Sequence, residues 1–410
     1  MNERGAAARA ETVGSMLRPQ AVLQALAPGS SRPGAGGGNE QSLGPAGFQQ
    51  GPGQDGSQSE ETRRILDDAV IEAIAIQEEA GLDVITDGEM RRWAWAQTPR
   101  FLGCFERRSG SGPKLDWRGG TQATGAQAGD GRPPADMGYP VVVRRVPEAE
   151  RTGSMAAEYA FLAEHAHART KYSMAAPSYH RRYWSDPHSA QAYGSCEEFL
   201  TDIRDYLREV VGELVALGCD YIQLDAPNYG SYCDPGTRAR MMADGRDIAA
   251  DLAFDAELDS SLLDGLEDVT RALHICRGNG PGGRWHSAGG YGAISAELFP
   301  LLRFDRLLLE YDSDRAGDFM PLADVRPGTV AVLGLLTTKS GELEDTGEVE
   351  GRIAEAARIK PLDGLALSTQ CGFGSVITGN PLTPAQQRAK LELVASVAHG
   401  TWPDHGVTSW

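Results

Sequence analysis

Short apolar runs recur along this chain, separated by longer stretches in which apolar positions return every three or four residues. A short β-branched or apolar run suits a strand, and recurrence at i, i+3 and i+4 suits an amphipathic helix. The runs predict strands at 11–14, 82–86, 141–144, 172–175, 221–224, 272–275, 306–310, 330–335 and 364–367. Helix 61–80 interleaves Ile65, Ala69, Ile71, Ile74 and Ile76 with acids and stops at Gly81, a C′ glycine. Ser195 followed by Glu198 opens helix 195–217 with a capping-box signature, Gly218 ends it, and 384–399 is the last helix. About eight strand–helix units predict an α/β fold, a (β/α)8 TIM barrel rather than an open sheet. The reacting groups of such a barrel sit at the C-terminal ends of its strands.

Two stretches break the rhythm. Residues 29–60 are rich in Gly, Gln, Ser and Pro and almost free of large apolar side chains. Such a segment cannot bury enough surface to offset its ordering entropy, so it reads as a flexible insertion, with a substrate lid as the other reading. Residues 109–136 are similar but carry Trp117, an anchor for a second loop insertion. Neither separates two self-sufficient cores, so 1–410 reads as a single catalytic barrel.

Charge narrows the partners. With 39 Lys+Arg against 57 Asp+Glu the formal charge is −18, which repels polyphosphate backbones and anionic bilayers. Nucleic acid and membrane surfaces are therefore excluded as expected partners. No run approaches the roughly 18 apolar residues of a spanning helix, and 1–11 lacks the apolar core of a signal peptide, so a cytoplasmic location is expected. The 6 cysteines are too sparse for a disulfide scaffold.

Candidate chemistry concentrates in RALHICRGN, 271–279, where His274 and Cys276 stand two apart at the end of an apolar strand. Alternate strand residues face the same way, so both can reach one ion, and imidazole with thiolate suits Zn2+. A buried structural pair is the other reading of the motif. Two later strand ends also finish in ligand types: Glu310 after Leu307, Leu308 and Leu309, and Cys371 in LALSTQCGFGS. A carboxylate buried behind three leucines requires a charged partner or a metal. His274, Cys276, Glu310 and Cys371 thus form a candidate four-ligand zinc site, while Cys104, Cys196, Cys219 and Cys233 read as packing or surface thiols.

The order H-x-C, Glu, Cys-Gly-Phe resembles the zinc site of the cobalamin-independent methionine synthases, in their C-terminal catalytic barrel. TVGSMLRP at 12–19, TDGEMRR at 86–92, YWS at 183–185 and YIQLDAP at 221–227 match in the same order. The resemblance implies one zinc, a small-molecule thiol alkylated on sulfur, and a 5-methyltetrahydrofolate-type donor with homocysteine or a related acceptor. It implies that Glu310 is the exchangeable ligand. It further implies that Ser15, Glu89 and Asp225 hold the amino-acid end of the acceptor and that Trp184 lies near the folate site. Read as residues alone, Asp87 and Glu89 could also be a turn acid and a salt bridge to Arg91 or Arg92, Asp225 a strand-end turn residue, and Trp184 a core residue.

Departures from that family affect the substrate. Asp225-Ala226-Pro227 stands where methionine synthases read Asp-Glu-Pro, and VLGLLTTKSGELE at 332–344 offers no histidine near Leu336 and Thr337 where they carry a proton donor. The chain resembles instead the short single-barrel branch that includes epoxyalkane:coenzyme M transferase, in which a zinc thiolate opens an epoxide. A cation would then hold the thiol's anionic tail, with Arg18, Arg277, Arg284 and Lys339 as candidates beside the alternative of solvated surface charges. A reading from another class is a non-catalytic zinc-binding barrel. Gly278, Gly280 and Gly283 spell G-x-G-x-x-G, but Pro281 and the loop composition argue against the helix that a dinucleotide site needs. That loop reads as an active-site wall with His286 facing the pocket, and His165 and His167 read as surface or packing residues.

Overall fold

The computed structural model describes residues 8–26, 59–109, 111–113, 115–120, 139–146 and 154–403. Of the two Gly-rich insertions expected from sequence, 29–58 and 110, 114 and 121–136 lie outside the described residues. Ser59 and Glu60 belong to structure: the Ser59 hydroxyl accepts from Thr62 N at 3.1 Å and caps the helix Glu60–Glu79.

Parallel strands Ala10–Glu11, Val84–Ile85, Arg169–Thr170, Tyr172–Ala175, Tyr221–Asp225, Thr270–Ile275, Arg306–Glu310, Val330–Leu336 and Leu365–Thr369 make one sheet. Its order begins on Arg169–Thr170 and ends on Tyr172–Ala175, which only Lys171 separates, so the sheet returns on itself. Ala10 pairs Leu367 on one side, and Ile85 pairs Thr170 on the other. Counting 169–175 as one stave gives the eight-fold parallel barrel that the sequence predicts, with helices such as Cys196–Ala216 and Pro384–Thr401 outside it.

Alternation divides each strand between two environments. Ile222, Leu224, Leu273, Ile275, Leu307, Leu309, Leu333 and Leu367 pack outward in the large helix–sheet core. Tyr221, Ala272, Leu308, Val330, Val332 and Ala366 form a separate inner cluster. Continuing that inner register brings Asp225, His274, Cys276 and Glu310 to the top of the barrel on one face.

The predicted strand 141–144 needs correction. Tyr139–Val142 pairs antiparallel with Phe105–Arg108 in a two-stranded sheet apart from the barrel. The third stave is 169–175, of which the hydrophobic pattern finds 172–175 and misses the polar opening Arg-Thr-Lys. The reason is a buried charge. Lys171 Nζ lies 2.6 Å from Glu11 Oε2 inside the barrel, Arg306 Nη2 lies 2.7 Å from Oε1, and Tyr221 donates to Oε2 at 2.8 Å. Burial alone would raise the Glu11 carboxyl, but Lys171 and Arg306 outweigh it and hold it down at about 2. Among the described residues no helix is long and apolar enough to cross a membrane.

Candidate metal and substrate site

His274 is the penultimate residue of the strand Thr270–Ile275, Cys276 follows that strand, and Cys371 follows the last strand Leu365–Thr369, so all three reach the mouth of the barrel. One ligand atom from each lies within 4.8 Å of the other two, and all three side chains are buried. Two close approaches make room for them. A Cβ at Gly372 would stand 1.9 Å from Ser15 Oγ, and one at Gly230 would stand 2.0 Å from the Cys276 carbonyl. Any larger residue would push the Cys371 loop off the first strand or the helix Pro227–Cys233 off Cys276.

The imidazole is aimed by its neighbours. His274 Nδ1 lies 3.0 Å from Asp225 Oδ1, which also accepts from Gln223 Nε2 at 2.8 Å, and Nε2 lies 3.2 Å from the Gln370 carbonyl. A hydrogen bond from Cys276 and the nearby His274 and Lys339 lower Cys371 against burial, while the same bond and burial raise Cys276. One imidazole and two thiols within this span are a donor set that fits a borderline-soft ion of the zinc type.

Glu310, the fourth expected ligand, lies outside that group of three. Its Oε1 accepts from Arg315 Nε at 2.9 Å, and its Oε2 accepts from the Arg277 backbone N–H at 2.8 Å and from Gln370 Nε2 at 3.4 Å. Burial would raise the carboxyl, but Lys339, Arg315 and Arg277 hold it at about 2. The charged partner that three leading leucines demand is therefore a cation cluster.

Ser15, Glu89 and Asp225 line the cavity above His274, Cys276 and Cys371, together with Asn279, Ser375 and Tyr179. Glu89 is the one described non-glycine residue in the left-handed region, at φ 55°. Its Oε1 accepts from Ser173 Oγ at 3.0 Å, and its Oε2 is buried with no hydrogen-bond partner. Burial, with Asp225 and Asp87 against Arg92, pushes the carboxyl up to about 7. Such an orphaned acceptor suits a ligand's N–H donor. Trp184 is elsewhere. It stacks on Phe199 at 6.4 Å, donates to Asp186 Oδ1 at 2.6 Å, and lines a second, adjoining cavity.

The four cations expected from sequence divide by role. Arg18 donates to the carbonyls of Gly374, Arg92 and Glu89, and Arg277 to those of Gly289, Glu310 and Ala316, so both hold loops. Arg284 lies against Gly120, and Lys339 is buried, its Nζ without a hydrogen bond but close enough to Glu310 to act on its charge. The loop after Gly280 makes only the short turn Pro281–Gly283, with no helix to cradle a pyrophosphate. His286 lines both cavities, its ring 5.3 Å from that of Trp117, while Arg118 and Trp285 exchange backbone hydrogen bonds that dock 115–120 on this loop. Sequence reading missed Arg182, which lines both cavities, although it directly precedes the YWS motif. It also missed Arg315, whose signal was its place five residues after Glu310.

No family model matches the chain. It is 34% identical over 347 residues to the uncharacterised protein YxjH of Bacillus subtilis (strain 168), covering 84% of this chain and 87% of that protein. It is 31% identical over 404 residues to YxjG of the same organism, covering 96% and 94%. A 2-hydroxypropyl-CoM lyase from Xanthobacter autotrophicus is 25% identical over 345 residues, covering 75% and 79%. Among solved structures, a protein from Listeria monocytogenes assigned as a vitamin-B12-independent methionine synthase superposes with a TM-score of 0.65 at 23% identity, covering 96% of this chain and 98% of that one. A B12-independent methionine synthase from Shewanella sp. W3-18-1, in complex with selenomethionine, superposes equally with a TM-score of 0.65 at 20% identity, covering 97% and 98%.

Proposed function

We propose, for a chain that belongs to the family of Bacillus subtilis YxjH and YxjG and is built on the barrel of the cobalamin-independent methionine synthases, transfer of an alkyl group to the sulfur of a thiol substrate. The observation that carries this reading is the buried group His274, Cys276 and Cys371 opening on the cavity that Ser15, Glu89 and Asp225 line. A zinc ion bound there would supply the positive charge that turns a thiol into a thiolate at neutral pH.

The chain's own residues do the rest. Asp225 holds the His274 ring through Nδ1, so Nε2, 3.2 Å from the Gln370 carbonyl, is the nitrogen that would meet the metal. Glu310 stands ready as a fourth ligand from its cation cluster, and Glu89 Oε2 accepts from the ammonium of an amino-acid thiol. The acceptor is homocysteine or a related thiol, and the donor is of the 5-methyltetrahydrofolate type. The selenomethionine bound by the Shewanella neighbour supports a product of that size and kind. Transfer forms a bond from sulfur to the methyl carbon and breaks the carbon–nitrogen bond, and the departing nitrogen needs a proton. In 332–344 that proton has no histidine to come from, which favours a second reading. There the thiolate opens an epoxide or attacks another electrophile, in line with the lyase relative.

The test is zinc stoichiometry with metal-edge X-ray absorption, on the protein alone and with homocysteine, 2-mercaptoethanesulfonate and glutathione in turn. One zinc per chain and an added sulfur neighbour with one of the thiols is the expected result. Zinc whose surroundings no thiol changes would leave a structural metal instead.

A further inference from the structure

We infer that Arg182 is the binding residue for a monoanionic oxyacid group, a carboxylate or sulfonate, on the substrate that gives up the alkyl group. This deepens the reading above and rests on it. Among the described residues, Arg182 is the one charged side chain shared by the cavity over His274, Cys276 and Cys371 and the adjoining cavity that Trp184 lines. Ser15, Glu89 and Asp225, proposed for the acceptor, line the first cavity only. Arg182 thus stands where the two cavities join, within reach of a molecule that occupies the second one.

Arg182 differs from the arginines around it. Arg181 is neutralised by Asp255 at 2.6 Å and Glu197 at 3.1 Å, and Arg246 by Asp251 at 2.7 Å. Arg182 has no carboxylate partner among the described residues. Its Nε and Nη1 meet the hydroxyls of Tyr139 and Tyr179, and its guanidinium lies 4.6 Å from the Tyr179 ring centroid. Two tyrosines thus fix the planar head and occupy two of its nitrogens, leaving Nη2 without a hydrogen bond among the described residues. A half-buried cation without a counter-charge is costly in a folded protein, the more so in a chain with 57 acidic residues to draw on. One open edge of one guanidinium matches a single negative charge rather than a phosphate dianion. His286 adds no second charge near neutral pH, because burial and then Arg182 push it down to about 4.

Iodoacetate and iodoacetamide test this directly, since they differ only in the charged group. In each the thiolate sulfur bonds to the methylene carbon, the carbon–iodine bond breaks, and iodide leaves with the bonding pair. Zinc-loaded protein is given homocysteine and each reagent, and the alkylated homocysteine is counted by mass spectrometry. The expected iodoacetate-to-iodoacetamide rate ratio is about 10- to 100-fold above that of free homocysteine. Arg182→Met should return it to the free-thiol value with the zinc content and melting temperature kept, and Arg182→Lys should retain part of it. A wild-type ratio equal to that of the free thiol, or an unchanged ratio in Arg182→Met, would overturn the inference. Failure of the underlying reading shows separately, as zinc surroundings that homocysteine leaves unaltered, and takes this inference with it.

Discussion

Asp225 Oδ1 sits 3.0 Å from His274 Nδ1, so the residue that the family resemblance places at the acceptor's amino-acid end also orients the imidazole. Both of its hydrogen bonds fall on Oδ1, one from Gln223 at 2.8 Å, and Oδ2 makes none among the described residues. One carboxylate can thus serve ring and ligand at once. Asp225→Ala should weaken zinc binding about 10- to 100-fold in a chelator competition. If zinc affinity is unchanged while KM for the thiol rises, Asp225 serves the substrate alone.

Cys371→Ser should lose zinc and activity together, because the site would drop to one thiol and one imidazole. Metal content by mass spectrometry, read beside turnover, checks this. A variant with full turnover and no zinc would remove the metal from the mechanism.

Glu89 gives the site a pH dependence. Its carboxyl is raised to about 7, so it must lose its proton before it can hold an ammonium. The kcat/KM for an amino-acid thiol should therefore climb as pH passes about 7, and Glu89→Gln should flatten the climb and raise KM about tenfold. Stability runs the other way. Between 4.5 and about 7 the folded chain binds a proton at Glu89 that the unfolded chain has released, so this group's contribution falls as pH rises through that window. A thermal-melt comparison of wild type and Glu89→Gln at pH 5 and 8 measures it.

At the far end of the barrel Glu11 joins Lys171 and Arg306, all three fully buried. Its carboxyl is depressed to about 2, so its stabilisation is present above 4.5 and is lost as pH falls from there through about 2. Glu11→Ala removes the buried carboxylate that Lys171 and Arg306 share and should cost about 3–5 kcal/mol in chemical denaturation. The folded fraction should bind zinc as wild type does, since this cluster is at the opposite end from His274.

Much of the site was legible because it lies on strands. The strands 172–175 and 306–310 carry the predicted bounds, and the H-x-C spacing places His274 and Cys276 on the inner face. Hydrophobic runs missed only the polar opening of the third stave, 169–171, where Lys171 points inward to a carboxylate from a strand 160 residues away. They failed again at 141–144, whose apolar side chains cover a small antiparallel sheet instead of a barrel wall.

The sequence by itself determined the eight-fold alternation and the residue types at each strand end, because periodicity and composition are local. Which of those residues meet is not local. Glu310 stands one strand from Cys276 in the sheet, yet Arg315, Arg277 and Lys339 draw its carboxylate to themselves, and Asp225 turns to His274 from the neighbouring strand. Among the described residues Arg182 meets no acid, while Arg181 beside it meets two. Charges pair across distances of a few ångströms that only the closed barrel creates, so the tertiary structure decided the partners.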